Sequence, residues 1–136
     1  YEYFIGNPKS AASYGCMAPV IEKALHACIG NSESVKNITG MSLEEICDQY
    51  IDKDVPVILW ATINMLETNP RNSWYLSDGA RFTWPGNEHC MLLVGYDDTK
   101  YFFNDPYAGK LVAYEKSLTE ERFAELGSQA LVILPQ

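Results

Sequence analysis

The sequence predicts an α+β domain in which helices lead and an antiparallel sheet follows. Apolar residues recur at helical spacing in two segments before residue 52. Beyond it, short apolar and aromatic segments separated by turn residues predominate, and two of them are joined by a tight turn at residues 97–99. Helices and strands that are grouped along the chain, rather than alternating, are typical of the α+β class with antiparallel pairing.

Length and composition favour one globular domain, residues 1–136. A chain of 136 residues buries enough surface for one core, and its 47% apolar and 21% charged residues are ordinary for a globular protein. The net charge of −8 argues against a nucleic-acid partner, since phosphate binding needs a basic surface. No apolar run reaches the roughly 20 residues of a membrane helix. We therefore expect a monomer with no nucleic-acid partner and no membrane segment.

The first helix is predicted over residues 18–29. Gly30 stands at its end, and Pro19 is compatible with a helix because it lies in the first turn. A polar loop is expected over residues 30–40. The apolar residues that keep helical spacing are Met17, Val20, Ile21, Ala24, Leu25 and Cys28.

A capping box of Ser42 and Glu45 predicts the start of a second helix. Residues 55–62 are apolar and β-branched, which indicates a buried strand. Residues 69–87 are rich in Asn, Ser, Gly and Pro and predict a long irregular loop. One face of the second helix is expected to carry Leu43, Ile46, Cys47, Tyr50 and Ile51.

The second half of the chain predicts the remainder of the sheet and one more helix. Ser117 and Glu120 have the spacing of another capping box, and Gly127 marks the end of the helix that it opens. The four remaining strands are predicted at residues 89–96, 100–103, 111–114 and 129–134.

Cys16 is the candidate nucleophile. It stands at the start of the first predicted helix, where unpaired N–H groups and the helix dipole favour a thiolate. Gly15 before it would let a substrate approach the backbone. Cys28 and Cys47 fit small apolar positions inside their helices, although one disulfide between them stays open as an alternative.

His89 and Asp105 are the candidate partners of that thiol. His89 opens a strand, and because successive side chains face opposite ways, Cys90 must point to the other face. If Cys90 joins the core, His89 is available to Cys16. Asp105 ends the next strand and reaches His89 diagonally if a bulge intervenes, so that it can orient the imidazole.

Residues outside the candidate trio are also candidates for binding roles. Trp74 and Trp84, in the long loop before the histidine, are candidates for the walls of a substrate cleft, with Gly15 beside them. A metal or redox site of Cys16, Cys90 and His89 is the weakest hypothesis, because adjacent strand residues diverge and tetrahedral ligand spacing is missing. We expect no cofactor and no metal.

Four segments of the sequence carry a resemblance to a known family. YGCMAPVIEKAL, PVILWATINM, EHCMLLVGYDDTKYFFNDPYAGK and QALVIL resemble the papain-like cysteine peptidases related to bacteriocin-leader (double-glycine) processing enzymes. The resemblance implies a papain-like fold, in which an N-terminal helix that carries the cysteine packs on an antiparallel sheet that carries the histidine and the aspartate. It implies Cys16 as nucleophile, His89 as general base and acid, and Asp105 as the orienting residue.

The sequence departs from the family pattern at the oxyanion position. Family members have a glutamine a few residues before the cysteine, whereas the glutamines here, at positions 49, 129 and 136, all come later. Asn7 and Ser10 are the candidate substitutes, beside the backbone N–H of Cys16. Met17 replaces a glycine of the bacteriocin-processing members, so specificity for leader peptides does not carry over.

Two functional hypotheses follow. The first is a cysteine peptidase that cleaves a peptide bond of a peptide or protein substrate through a covalent thioester. The alternative is a catalytically weak or inactive domain of the same fold that binds a peptide, which the missing upstream glutamine favours. Resemblance alone implies a bacterial extracellular or cell-surface location. The chain starts without methionine and shows no signal peptide, which we interpret as a cloned fragment or a processed product, so that any signal or anchor upstream is not visible in it.

Overall fold

The structure, a computed structural model, describes residues 2–30 and 32–135. Within these ranges the helices are α1 (Ala18–Ile29), α2 (Leu43–Gln49) and α3 (Lys116–Glu125). The strands there are β1 (Val35–Asn37), β2 (Val57–Thr62), β3 (Ser73–Tyr75), β4 (Arg81–Thr83), β5 (Glu88–Tyr96), β6 (Lys100–Asp105), β7 (Lys110–Glu115) and β8 (Ala130–Ile133).

One six-stranded antiparallel sheet organises the molecule. Its strand order is β1-β8-β2-β5-β6-β7, and β3 with β4 forms a separate two-stranded sheet. The last strand of the chain therefore pairs with the first, between β1 and β2. The expected α+β architecture with an antiparallel sheet is confirmed.

The two faces of the sheet bury different hydrophobic clusters. Alternate residues of each strand point to opposite faces, so one set meets α2 and α3 while the other meets α1 and the β3–β4 hairpin. The cluster on the α2 and α3 side includes Leu43, Ile46, Leu59, Met91, Leu93, Phe103 and Phe123. The cluster on the α1 side includes Met17, Ala18, Trp60, Trp84 and Leu131, with Cys90 packed against it.

The first helix has both ends, and the second has the start, that the sequence predicts, but α2 ends at Gln49, so Tyr50 is its C-cap and Ile51 lies in a following 3-10 turn rather than on its face. α1 covers the predicted residues, with a proline in its first turn and Gly30 in the left-handed conformation at its C-cap. Ser42 and Glu45 form both hydrogen bonds of the capping box that opens α2. These helix starts and stops are therefore encoded locally.

Two segments predicted as loops contain strands. The predicted loop over residues 30–40 includes β1, which pairs with β8, and its Asn31 lies outside the described residues. The predicted loop over residues 69–87 includes the β3–β4 hairpin. Both predictions were wrong because these three-residue strands are too short for a periodic pattern and depend on partners for their definition.

Two local expectations were also wrong. Ser117 does not cap α3, because β7 continues directly into the helix, Glu115 is the N-cap, and no side chain caps it. Cys28 and Cys47 are free thiols, and Cys28 is exposed rather than buried. A disulfide between them is not formed, since α1 and α2 pack on opposite faces of the sheet.

Residues 2–30 and 32–135 contain neither a helix that could span a membrane nor a candidate metal cluster. None of the helices there is long and apolar enough to cross a membrane. No group of three or more His, Cys, Asp or Glu side chains in these ranges is arranged to hold a metal ion.

Candidate active site

The hairpin of β5 and β6 brings His89 and Asp105 into contact. His89 Nε2 lies 2.7 Å from Asp105 Oδ1, although the residues are 16 positions apart. The register of the two strands shifts between Leu93 and Gly95, which is the bulge that the diagonal contact requires. Asp105 is only 2% exposed, so this hydrogen bond is shielded from water.

Asp105 is held as a carboxylate. Burial alone would raise its pKa, but hydrogen bonds from His89 and from the backbone N–H of Tyr107 outweigh burial and lower it. Tyr107 N donates to Asp105 Oδ1 over 2.8 Å. The other oxygen, Oδ2, is buried and has no hydrogen-bond partner within the described ranges. A buried anion of this kind fixes the orientation of the imidazole.

The second ring nitrogen of His89 is left for proton exchange. Nε2 is engaged by Asp105, while Nδ1 has no hydrogen bond to any described residue. The Tyr107 ring packs edge-on to the imidazole with ring centroids 6.2 Å apart. An imidazole tethered at one nitrogen and open at the other is suited to general acid–base chemistry.

Cys16 lies immediately before the N-cap of α1. Met17 is the N-cap residue, so Cys16 precedes the helix rather than starting it. The indole Nε1 of Trp60 donates to the Cys16 carbonyl over 2.9 Å, which ties this segment to the centre of the sheet. Cys16 is half-buried and its thiol is free.

The expectation of a lowered Cys16 pKa was wrong for the free protein. Burial raises the pKa of the Cys16 thiol, and the negative charge of Glu88 raises it further. Desolvation and a nearby carboxylate both disfavour a thiolate. The position before α1 therefore does not by itself activate the thiol.

The pleat of β5 places Glu88 and Cys90, rather than His89, on the α1 face. Cys90 packs in the cluster with Met17, whereas His89 shares its side of the strand with Met91, a member of the opposite cluster. The expected arrangement, with Cys90 facing away from the nucleophile, was therefore wrong. Among the residues that the structure describes, no hydrogen bond joins the Cys16 thiol to His89.

Glu88 is the site residue that the sequence reasoning missed. Its Oε2 would lie 2.8 Å from a Cβ placed on Gly15, so the carboxyl rests against the residue before the nucleophile. Burial raises the pKa of Glu88 to about 7, although a hydrogen bond from Trp60 opposes this rise. Strand alternation could have identified it, because the residue before His89 must share the face of Cys90.

One cavity is lined by the cysteine, and a larger one lies on the sheet beside Cys90 and Asp105. One, of about 220 Å³, is lined by Cys16 together with Trp74 and Trp84. Trp74, Phe82 and Trp84 pack with ring centroids 5.1 Å (Trp74–Phe82) and 6.3 Å (Phe82–Trp84) apart, which makes this wall aromatic. The other, of about 540 Å³, lies on the sheet and is lined by residues that include Ile58, Cys90, Leu92 and Asp105.

The candidate oxyanion residues lie in an exposed turn. Asn7 Oδ1 accepts the N–H of Lys9, and Ser10 Oγ accepts the N–H of Ala12. The Ile5–Gly15 bridge closes this segment beside the nucleophile. Both side-chain oxygens are therefore used within the turn, and a role for either residue at an oxyanion stays a prediction.

This chain is similar to known proteins in both sequence and fold. Residues 1–131 match the peptidase C39-like family. A protein of Bacillus subtilis (strain 168), the uncharacterized YvpB, is 30% identical over 131 residues, which are 96% of this chain and 50% of that protein. This chain thus spans about half the length of that relative.

The fold is similar to the crystal structure of a candidate C39-like peptidase from Bacillus anthracis. The TM-score is 0.80 at 23% identity, over 98% of this chain and 67% of that one. At this identity the likeness concerns the fold, while membership rests on the family match over nearly all of the 136 residues. The chain belongs to the peptidase C39-like family, which is related to the papain-like cysteine peptidases that its sequence motifs resemble.

Proposed function

We propose that this domain is a cysteine peptidase with Cys16 as nucleophile, His89 as general base and acid, and Asp105 as the orienting residue. The observation that carries the proposal is the buried hydrogen bond between His89 and Asp105, at 2.7 Å. A carboxylate that holds one nitrogen of an imidazole in this way is what a catalytic histidine requires.

The chemistry is acyl transfer in two steps. His89 takes the proton of the Cys16 thiol, and the thiolate attacks the scissile carbonyl carbon to form a tetrahedral intermediate. The His89 imidazolium then protonates the leaving amine as the C–N bond breaks, which leaves a thioester. Water, deprotonated by His89, attacks the thioester carbonyl and releases the new carboxylate and the thiol. The Cys16 N–H, which has no backbone hydrogen bond to described residues, is one candidate oxyanion donor.

Substrate contact must bring the thiol and the imidazole together. Catalytic hydrogen bonds are often long or poorly aligned in free enzymes and tighten in the substrate complex. The proposal therefore requires that the Cys16–His89 hydrogen bond, which no contact among the described residues shows, forms when substrate binds. Trp74 and Trp84 would contact the substrate in the aromatic cavity, and Gly15 would leave room at the backbone. We also propose that the whole protein acts on a peptide or protein substrate and is located outside a bacterial cell.

The test is cleavage of a peptide library by the purified domain. Cys16→Ala and His89→Ala should each lower turnover by at least about a thousandfold, because they remove groups that act in the reaction. Asp105→Ala should cost less, since it removes only the orientation of the imidazole. Cys28→Ala is the matched control: this exposed thiol on α1 should be dispensable. Cleavage that survives Cys16→Ala would contradict the assignment.

Peptide binding without cleavage is the second candidate function. The raised pKa of the Cys16 thiol, together with the absence of an upstream glutamine, favours it. If the wild-type domain retains peptides from the library in a pull-down but yields no cleaved product, and Trp74→Ala abolishes retention, the binding function is supported over catalysis.

A further inference from the structure

Glu88 occupies a niche directly behind the nucleophile segment. Its carboxyl meets Gly15, and the Trp84 ring lies 3.7 Å from the same Cβ position. The Trp60 indole, which donates to the Cys16 carbonyl, is also close enough to the Glu88 carboxyl to lower its pKa. The Glu88 side chain thus lies beside both Gly15 and Trp60, the two residues that fix the position of the cysteine backbone.

In the described part of the chain, no cation neutralises the Glu88 carboxyl. Within residues 2–30 and 32–135, Glu88 forms no ion pair. Arg71 and Tyr14 line a pocket of about 400 Å³ together with Glu88, but neither makes a salt bridge or hydrogen bond to it among those residues. Its cross-strand neighbour, Thr62, has a buried hydroxyl with no hydrogen-bond partner there. A half-buried carboxyl with so little compensation favours its neutral form.

The groups that would sense its ionisation are two thiols. Cys16, from the segment before α1, and Cys90, from β5, both lie within the electrostatic range of Glu88. Burial raises the pKa of Cys90 to about 12, with smaller contributions from Glu88 and Cys16. Cys90 therefore stays a neutral thiol, and Cys16 is the group on which the charge of Glu88 acts.

We propose that Glu88 is a positioning residue that controls the reactivity of Cys16: a neutral carboxyl permits the thiolate, and an ionised one suppresses it. The physical reason is that a negative charge against Gly15, in a poorly solvated niche, repels a second negative charge on the adjacent sulfur. As a role in catalysis this rests on the proposed function, whereas the effect on the thiol does not.

The experiment compares the alkylation of Cys16 by iodoacetamide in wild type and in Glu88→Gln from pH 5 to pH 9. Peptide mapping reads Cys16 and Cys28 separately, so the exposed Cys28 serves as an internal reference. Below pH 6 the Cys16 rates should coincide, because the wild-type carboxyl is neutral there. Above pH 7 the variant should react about three- to tenfold faster, which corresponds to a thiol pKa lower by about half to one unit.

Glu44→Gln is the matched control. It removes the same charge from an exposed position on α2, across the sheet from Cys16, and should leave the Cys16 profile unchanged. Superimposed profiles of wild type and Glu88→Gln across the whole range would overturn the proposal. Slower alkylation of Glu88→Gln would overturn it too, since Glu88 would then act as a base for the thiol.

A second measurement needs no substitution at Glu88. Carbon-detected NMR of the wild-type side-chain carboxyl should show a titration midpoint near 7, as burial raises its pKa to about that value. A midpoint below 5 would overturn the proposal even if the variant does not fold. Because neither readout requires turnover, a domain that cleaves nothing but shows the pH-dependent difference refutes the proposed function and keeps this inference.

Discussion

At the scale of single residues, the site combines one stabilised charge with one suppressed charge. Asp105 keeps its charge because donors from His89 and Tyr107 surround one oxygen. Glu88 is one residue from His89 along the strand, yet it lies on the other face and lacks a cation within the described ranges. Glu88 and His89, although adjacent in sequence, therefore lie in two different electrostatic environments on opposite faces of the pleated strand.

The half-buried Glu88 carboxyl should make the free energy of unfolding depend on pH. Its folded pKa is about 7 against an ordinary value of 4.5, so the folded protein binds this proton more tightly than the unfolded chain. The contribution is therefore fully present below about pH 4.5 and is lost as the pH rises through 7. Glu88→Gln should be more stable than wild type at pH 8, by at most about 3 kcal/mol.

Urea unfolding at pH 4.5 and pH 8 measures this difference. The stability gap between Glu88→Gln and wild type should widen from the lower to the higher pH, whereas Glu44→Gln should show no such trend. A gap that is constant with pH would mean that the Glu88 carboxyl does not change its protonation between those values.

At the scale of secondary-structure elements, local signals identified α1 and α2 but failed for α3. In α2 the Ser42 hydroxyl accepts from Glu45 N, and the Glu45 carboxylate accepts from Ser42 N. The same four-residue spacing at Ser117 has no such geometry, because the chain enters α3 directly from a paired strand. A capping motif requires an extended residue that is free to turn, and sheet pairing of β7 removes that freedom.

This contrast predicts different costs for two similar substitutions. Ser42→Ala should lower the free energy of unfolding by about 1 kcal/mol, because it removes the hydroxyl that caps α2. Ser117→Ala should change it by less than about 0.5 kcal/mol, since this exposed serine caps nothing. Thermal or urea unfolding of the two variants measures both, and an equal loss in Ser117→Ala would show that α3 is capped in solution.

At the scale of the whole molecule, the two faces of the sheet carry different structures. The face toward α2 and α3 holds the larger buried cluster, which includes the fully buried Phe103. The face toward α1 holds the cysteine segment, the aromatic hairpin and Glu88. The larger core and the cysteine segment thus lie on opposite sides of the sheet, whereas His89 and its partner Asp105 belong to the side of the larger core, at the open end of the β5–β6 hairpin.

Two aromatic truncations should show that the two faces contribute unequally to the free energy of unfolding. Phe103→Ala should lower the free energy of unfolding by about 3–5 kcal/mol, because it leaves a cavity in the main cluster. Trp74→Ala should cost less, since β3 and β4 form a two-stranded hairpin that is marginal alone and opens locally. Amide exchange should accelerate in β3 and β4 of Trp74→Ala with the central strands unaffected. Equal losses in the two variants would refute this unequal contribution.

Sequence alone determined the elements whose signals are local and the residues whose chemistry is distinctive. The bounds of α1, the cap of α2, the central strands and the trio of Cys16, His89 and Asp105 could all be named from spacing, capping residues and motif resemblance. The sequence also predicted that His89 and Asp105 would come into contact only if a bulge intervened, and the register shift between Leu93 and Gly95 is that bulge.

Only the tertiary structure decided what depends on distant partners. The short strands β1, β3 and β4 exist because other strands pair with them, and no periodicity in three residues reveals that. The protonation of Cys16 and Glu88 depends on burial and on charges brought together from different elements. Local patterns carry information over a few residues, whereas solvation and pairing are properties of the assembled sheet.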